Sequence, residues 1–208
     1  MGNQWLNRHN SDIYVKQSRL EGYRSRAVYK LAQIDARDHL LTNNMTVVDL
    51  GAAPGGWSQW IAKNKRIKVF ALDILAMEPL DNVTFIQGDF HEMEVLNKLL
   101  EQLHDCKIDL VISDMAPNFS GIKDVDQARS MLLAELARDF AYEVLAPNGN
   151  FLTKLFQGEG FDLYIKNLKK QFKKVVTRKP EASRSKSPEV YLVGKNYLCS
   201  EELKSLPH

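Results

Sequence analysis

Residues Val47–Trp57 read VVDLGAAPGGW, and this stretch decides the fold. Its apolar start is typical of a buried strand, and the glycines that follow predict a tight turn into a helix. Such a strand–turn–helix opens many nucleotide-cofactor folds, where glycine lets a ligand approach the backbone because no Cβ intervenes. The stretch lacks the Gly-Lys-Ser/Thr ending of a phosphate loop, and Ala52–Pro54 interrupt the glycine spacing of the dinucleotide fingerprint.

A glycine turn flanked by acids, without a phosphate-binding lysine, suits an adenosyl cofactor that carries a positive centre. S-adenosylmethionine is therefore the cofactor that we expect, although a tight turn that binds no ligand has the same local sequence. Asp73, Asp89 and Asp114 each follow a predicted strand. Ligands of open α/β sheets bind at the carboxyl ends of the strands, so the three acids favour the cofactor.

Each of these acids has an expected role. Asp73 could accept both hydroxyls of an adenosine ribose, and Asp89 could accept from the adenine amino group. Asp114 completes the negative surroundings that a sulfonium favours. Taken singly, a strand-end aspartate is more often a turn former or a helix cap.

Composition fits a single compact domain. The chain has 208 residues, and its 44% hydrophobic and 26% charged content are ordinary for a globular protein. Cys106 and Cys199 lie far apart without ligand spacing, which predicts no disulfide framework and no metal site. We expect a cytoplasmic protein, since no run resembles a signal peptide or a membrane span.

The chain alternates predicted strands with predicted helices. The strands are Thr46–Leu50, Lys68–Leu72, Val83–Gln87, Ile108–Ser113, Asn150–Phe156, Lys173–Arg178 and Glu189–Val193. Besides the helix after the glycine turn, the helices are Ala27–Leu40 (with Ser25 as its cap), His91–Leu103, Val125–Leu145 and Asp162–Phe172. This alternation implies a parallel sheet covered by helices on both faces. Residues 1–24, the loop 178–188 and the tail after Lys195 are the least core-like segments.

Two lysines and two carboxylates stand out as candidate chemistry. Lys154 lies inside an apolar strand, where it is either an edge lysine that reaches solvent or a base. If the last strand is antiparallel to the others, Glu189 at its start faces Asp114 and Lys154. Lys30 lies mid-helix among apolar neighbours, and in isolation it reads as an exposed helical lysine. If these two lysines and two carboxylates converge in the fold, they would form a charge-balanced cluster whose titrations are coupled.

These motifs together resemble the FtsJ/RrmJ family of RNA 2′-O-ribose methyltransferases. The matching stretches are Ser25–Leu31, Val47–Gln59, Gln87–Phe90, Asp114–Gly121, Phe156–Phe161 and Arg178–Pro180, and the resemblance runs from about Trp5 to Lys195. The family's catalytic tetrad falls on Lys30, Asp114, Lys154 and Glu189. Its cofactor contacts fall on Gly55, Trp57, Asp73, Asp89 and Asp114.

The resemblance implies fold, reaction and partner. The fold is a Rossmann-like S-adenosylmethionine-dependent methyltransferase, an α/β fold whose seven-stranded, mostly parallel sheet has an antiparallel last strand. The implied substrate is a uridine ribose in the A loop of 23S rRNA within the large (50S) ribosomal subunit. Lys154 is expected to act as the base, with Asp114 and Glu189 orienting it and Lys30 positioning the ribose. We expect a monomer with no membrane partner.

Basic residues support an RNA partner, since cations neutralise phosphates. We divide the chain into a basic RNA-contacting segment 1–24, a methyltransferase domain 25–195 and a tail 196–208. The first basic group is Lys16, Arg19, Arg24 and Arg26, interleaved with Tyr14 and Tyr23; Arg24 and Arg26 are expected to lie apart from the cofactor motifs. A second group is Lys166, Lys169, Lys170, Lys173, Lys174, Arg178 and Lys179, followed by Arg184 and Lys186.

Two alternatives remain open at this point. Related families carry the same tetrad and modify a tRNA anticodon loop or an mRNA cap. A protein of another class, an RNA-binding ribosome-assembly factor, could retain the fold without turnover, although the intact tetrad argues against it.

Overall fold

The computed structural model describes residues 13–104, 106–184 and 187–198. Most of the predicted tail, the first half of the basic N-terminal segment, Lys186 and Cys199 lie outside these residues. Within the described ranges, no helix is both long and apolar enough to cross a membrane.

Seven strands form one sheet, as the sequence predicts. They are β1 (Thr46–Leu50), β2 (Lys68–Asp73), β3 (Val83–Gln87), β4 (Ile108–Ser113), β5 (Leu145–Phe156), β6 (Phe172–Arg178) and β7 (Glu189–Tyr197). Their order across the sheet is β3-β2-β1-β4-β5-β7-β6. Pairing is parallel from β3 to β5, and β7 is antiparallel to both β5 and β6. The prediction of a mostly parallel sheet with an antiparallel last strand is confirmed.

Six helices are described. They are α1 (Ile13–Leu20), α2 (Val28–Asp38), α3 (Gly56–Asn64), α4 (Met93–Gln102), α5 (Lys123–Val144) and α6 (Phe161–Gln171). The sequence analysis missed α1, which buries only Val15 and Ser18 and so carries a weak apolar pattern. Ser25 does not cap α2 directly: its Oγ accepts from the backbone N of Ala27, the residue immediately before the helix.

Two element boundaries differ from the prediction by more than two residues. β5 begins at Leu145 rather than Asn150, because Leu145 already pairs with Ile108. A shift of register between Ile108 and Leu110 then accommodates residues 146–149 within the strand. β7 continues past Val193 to Tyr197, since β6 pairs with it along that length. Both differences depend on partners that are distant in sequence.

Apolar residues alternate between the two faces of the sheet. Val48 and Leu50 belong to a core cluster with residues of α4, α5 and α6, whereas Val47 belongs to one with residues of α2 and α3. Both faces are therefore covered by helices, as predicted. Side chains of β5 and β7 that point to the second face meet α2, and this fixes where Lys30 can reach.

Candidate active site

A cleft lies at the carboxyl ends of the first four strands. Its volume is about 810 Å³, within the usual range for a small-molecule site. Acids and apolar side chains line it together, including Asp73, Asp89, Asp114, Phe90 and Met115. The cleft is where an open α/β sheet binds its ligands, and it holds three of the five predicted cofactor residues.

The two acids assigned to the nucleoside are held by backbone amides. Asp73 accepts from the backbone N of Ala53 at 2.9 Å through Oδ2, and from that of Leu75 at 2.8 Å through Oδ1. Asp89 accepts from the backbone N and the ring Nδ1 of His91, at 3.0 and 2.7 Å. These bonds from His91, the backbone one first, lower the pKa of Asp89. Each carboxylate oxygen has further lone pairs, so these bonds orient both acids without exhausting them.

The glycine turn needs glycine at two positions. Gly51 has φ 77°, and a Cβ there would lie 2.6 Å from Cγ of Met115. Gly55 has φ 102°, and its Cβ would lie 2.7 Å from Sδ of Met77 and 2.9 Å from Nη1 of Arg24. Both positions combine a left-handed backbone with close neighbours, so any other residue would be strained.

Asp49 lies buried beneath the turn. Oγ of Ser58 donates to its Oδ2 at 2.6 Å. Burial raises the pKa of Asp49 to about 7, and the nearby Asp114 and Asp73 act in the same direction. Asp49, which lies in the apolar run before the glycine turn, is therefore a buried residue of β1.

Gly55 and Trp57 are not among the described residues that line the cleft. The Trp57 side chain is a core residue: it is 3% exposed, its Nε1 donates to the backbone O of Ala27 at 2.7 Å, and its ring lies 5.9 Å from that of Tyr191. Trp57 can therefore reach a ligand only through its backbone, and its assignment as a cofactor contact stays a prediction.

Arg24 has a role that the sequence analysis missed. Its guanidinium donates to the backbone O of Glu78 at 2.7 Å, of Pro79 at 3.0 Å and of Pro54 at 3.3 Å. The expectation that Arg24 lies apart from the cofactor motifs is therefore wrong. Three carbonyls fix this arginine, and it ties the N-terminal segment to the glycine turn.

Other predicted RNA contacts are also engaged within the protein. Arg26 donates to the backbone O of Ala182, and its guanidinium lies 5.9 Å from the Tyr14 ring centroid. Arg178 holds both carboxylate oxygens of Asp38 at 2.7 Å, and Lys179 donates to the backbone O of Glu189 at 2.6 Å. Among the described residues, the exposed members of the two groups are Lys16, Arg19, Lys166, Lys169, Lys170, Lys173, Lys174, Lys179 and Arg184.

Lys154 is a buried residue of a central strand. It is 8% exposed, and β5 lies between β4 and β7, so the interpretation as an edge-strand lysine is wrong. Its Nζ donates to the backbone O of Asp114 at 2.5 Å and lies 3.1 Å from Oδ1 of the same residue. Asp114 thus contacts Lys154 and also lines the cleft.

Lys30 and Glu189 form a second pair. Nζ of Lys30 lies 2.6 Å from Oε1 of Glu189, and both side chains are largely buried. Ser183 also donates to Oε1 of Glu189 at 2.8 Å. Glu189 therefore contacts Lys30 rather than Lys154, which differs from the expected arrangement.

Tyr191 joins the two pairs. Its hydroxyl accepts from Nζ of Lys30 at 3.1 Å and donates to Oδ1 of Asp114 at 2.6 Å. Sequence reasoning missed Tyr191, because an aromatic residue in an apolar strand reads as core. The network runs from Glu189 through Lys30, Tyr191 and Asp114 to Lys154, and we call it the charged network.

Register explains why the charged network assembles. Lys154 is the pairing partner of Tyr191 in the antiparallel β5–β7 ladder, and Glu189 lies two residues from Tyr191 on the same face. Lys30 comes from α2, which packs against that face. Asp114 follows the last residue of β4, beside β5.

Charges within the network set its protonation. Burial would raise the pKa of Asp114, but Lys154, Lys30 and the Tyr191 hydroxyl outweigh it and hold that pKa below its usual value. Burial opposes the ionised form of Glu189 in the same way, and Lys30 lowers its pKa. Burial, then Asp114 and Glu189, raise the pKa of Tyr191 well above its usual value. The network thus holds two carboxylates and a neutral phenol.

Comparison with known proteins agrees with this architecture. The family model described as FtsJ-like methyltransferase matches residues 23–197, so the chain belongs to that family. A ribosomal RNA large subunit methyltransferase E of Dichelobacter nodosus is 56% identical over 202 residues, 96% of each chain. One of Chromohalobacter salexigens is 57% identical over 195 residues, 93% of each. A structure described as a ribosomal RNA methyltransferase of Plasmodium falciparum has a TM-score of 0.76 at 35% identity, covering 85% of this chain and 100% of that one.

Proposed function

We propose that this member of the FtsJ-like methyltransferase family methylates the 2′-hydroxyl of a uridine ribose in the A loop of 23S rRNA, on the large ribosomal subunit. The observation that carries the proposal is the charged network, which begins at the wall of the cleft and places a buried lysine against Asp114. The relatives named as large-subunit rRNA methyltransferases support the choice of RNA.

The cleft fits S-adenosylmethionine. Asp73 and Asp89 offer ordered carboxylates for hydroxyl and amino groups, and Phe90 and Met115 offer apolar surface for a purine. Gly51 lines the cleft and keeps the turn free of a side chain where a ligand would approach. When bound, this cofactor supplies an electrophilic methyl group.

Lys154 is the proposed base. A ribose hydroxyl that gains a methyl group must lose its proton, and Nζ of Lys154 would accept it after its own proton has left to solvent. Asp114 fixes this nitrogen through its backbone O and its carboxylate. Because Lys154 is buried, its Nζ has few alternative positions, so its placement contributes to the rate by orientation.

The other members of the charged network position Lys154 and the ribose. Tyr191 donates to Asp114 and so fixes the carboxylate that contacts Lys154. Glu189 holds Lys30, whose ammonium is available to hydrogen-bond a ribose oxygen. Opposite charges alternate along the network, so its burial leaves no isolated charge.

Methyl transfer from labelled S-adenosylmethionine tests the proposal. Large subunits that lack the modification are incubated with the protein, and the 23S rRNA is then hydrolysed with alkali. We expect one alkali-resistant dinucleotide containing a 2′-O-methyluridine from the A loop, and none with Lys154→Ala. Label on a base, or transfer only to tRNA or capped mRNA, would contradict the proposal. Binding to subunits without any transfer would favour an assembly factor.

A further inference from the structure

Phe119 is an exposed aromatic residue beside the charged network. It lies on the segment that follows β4, five residues after Asp114, and it is 66% exposed. A single exposed apolar residue needs no explanation by itself. Phe119 differs from other exposed apolar residues in the hydrogen bonds that hold its segment and in its position next to Phe156 on β5.

The segment that carries Phe119 is firmly held. Oδ1 of the buried Asp126 accepts from the backbone N and the Oγ of Ser120, at 2.7 and 2.8 Å, and its Oδ2 accepts from the backbone N of Gly121 at 3.1 Å. On the other side of Phe119, Nη1 of Arg129 donates to the backbone O of Asn118 at 3.3 Å. Because hydrogen bonds fix the backbone on both sides of Phe119, the chain loses little freedom when the ring binds a partner.

The ring rests on the catalytic strand. It stacks on Phe156, with a centroid distance of 5.8 Å and an interplanar angle of 16°. Phe156 follows Lys154 by two residues and so lies on the same side of β5, roughly 7 Å further along the strand. One face of Phe119 is thus covered by Phe156, two residues from the proposed base, and the rest of the ring is exposed.

We propose that Phe119 stacks against an unpaired nucleobase of the RNA substrate, either that of the target nucleotide or that of its neighbour. This inference rests on the proposed function. RNA-binding proteins recognise splayed bases mainly by stacking them on aromatic rings, and such stacking tolerates any base. The nearby lysines, Lys30 and Lys154, are largely buried and form hydrogen bonds within the protein, so the ring supplies contact area that they do not.

Three substitutions at this position test the proposal. Phe119→Ala should raise the apparent Kd for large subunits, measured by co-sedimentation, about tenfold or more. Phe119→Trp should restore the affinity, whereas Phe119→Leu should not, because it keeps apolar area without a π-face. Ile122→Ala is the matched control, since Ile122 is 62% exposed near the same segment. That control should change the affinity less than twofold.

Two further readouts separate stacking from misfolding and from charge. Cofactor affinity, measured by calorimetry, should be unchanged in every variant. The salt dependence of subunit binding should keep its slope, since stacking releases no counterions. Equal affinity of Phe119→Ala and wild type would overturn the proposal, and so would full affinity of Phe119→Leu, which indicates a protein partner. Subunit binding is measured without turnover, so failure of methyl transfer in the wild type would count against the proposed function alone.

Discussion

The proposed site has a cofactor half, the cleft with Asp73 and Asp89, and an acceptor half, the charged network. The two halves are built in different ways although they meet at Asp114. In the cofactor half, Asp73 and Asp89 each accept from a backbone amide two residues further along the chain, and Asp73 also accepts from that of Ala53. The turn itself is shaped by glycine. In the acceptor half, largely buried side chains from α2, β5, β7 and the segment after β4 orient one another. The first arrangement suits a ligand that must enter and leave. The second suits groups whose relative positions must not change during a reaction.

This difference predicts which substitutions damage binding and which damage turnover. Changes in the cofactor half should weaken S-adenosylmethionine affinity and be overcome by more cofactor. Changes in the acceptor half should lower the rate at any cofactor concentration.

Lys154→Ala should have the largest effect. Loss of a general base lowers the rate by roughly 10²–10⁴-fold, and here it also removes the partner of Asp114. Cofactor affinity should remain close to that of the wild type. A turnover assay beside calorimetric titration checks both, and near-normal turnover would remove Lys154 from the mechanism.

Asp73→Ala should come next, with its effect confined to the cofactor. Loss of a charged acceptor weakens S-adenosylmethionine binding by about 1.5–3 kcal/mol. The amides of Ala53 and Leu75 also lose their partner, which adds to the effect. Calorimetry measures the affinity, and Asp81→Ala, an exposed acid in the loop between β2 and β3, is the control. An unchanged affinity would make Asp73 a turn residue only.

Tyr191→Phe should give a smaller, purely kinetic effect. The variant keeps the buried ring but loses the hydrogen bond that the hydroxyl donates to Asp114, worth about 1.5 kcal/mol, and the one that it accepts from Lys30. We expect a rate constant roughly tenfold lower at saturating substrates, with both affinities unchanged. If cofactor affinity falls instead, the boundary between the two halves does not lie at Asp114.

Substitutions of Arg24 and Arg26 should differ in their effect on cofactor affinity, and both effects should be the smallest of the series. Arg24→Ala should lower cofactor affinity several-fold, because the carbonyl of Pro54 beside Gly55 loses its donor. Arg26→Ala should leave that affinity unchanged. Each true phosphate contact that is lost reduces the log–log salt slope of RNA binding by roughly 0.7–0.9. Circular dichroism should confirm folding, and a reduced slope for Arg24→Ala with normal cofactor affinity would show that we have misassigned it.

The same difference explains what the sequence could reveal. The glycine turn and the strand-end acids are local features, so their spacing along the chain already predicts the cofactor cleft. Convergence of Lys154 and Glu189 needed the orientation of β7, which the sequence analysis could only assume. The prediction that Glu189 contacts Lys154 was wrong, because Lys154 pairs with Tyr191 in the β5–β7 ladder and α2 brings Lys30 to Glu189.

Tyr191 and Arg24 show why the remaining contacts could not be predicted from the sequence. Tyr191 lies in an apolar alternating strand, and nothing in that pattern distinguishes a core ring from a hydroxyl that links two charged pairs. Arg24 contacts carbonyls that lie 30 to 55 positions further along the chain. A basic residue among other basic residues indicates an RNA surface until those contacts are known.

A single-turnover experiment over a range of S-adenosylmethionine concentrations up to saturation tests the division of the site most directly. Methyl transfer to large subunits is followed for wild type, Asp73→Ala and Lys154→Ala as the cofactor concentration rises. The account predicts that Asp73→Ala recovers most of the wild-type rate at saturation, whereas Lys154→Ala stays slow at every concentration. Recovery of Lys154→Ala by added cofactor, or a saturated Asp73→Ala that remains as slow as Lys154→Ala, would contradict it.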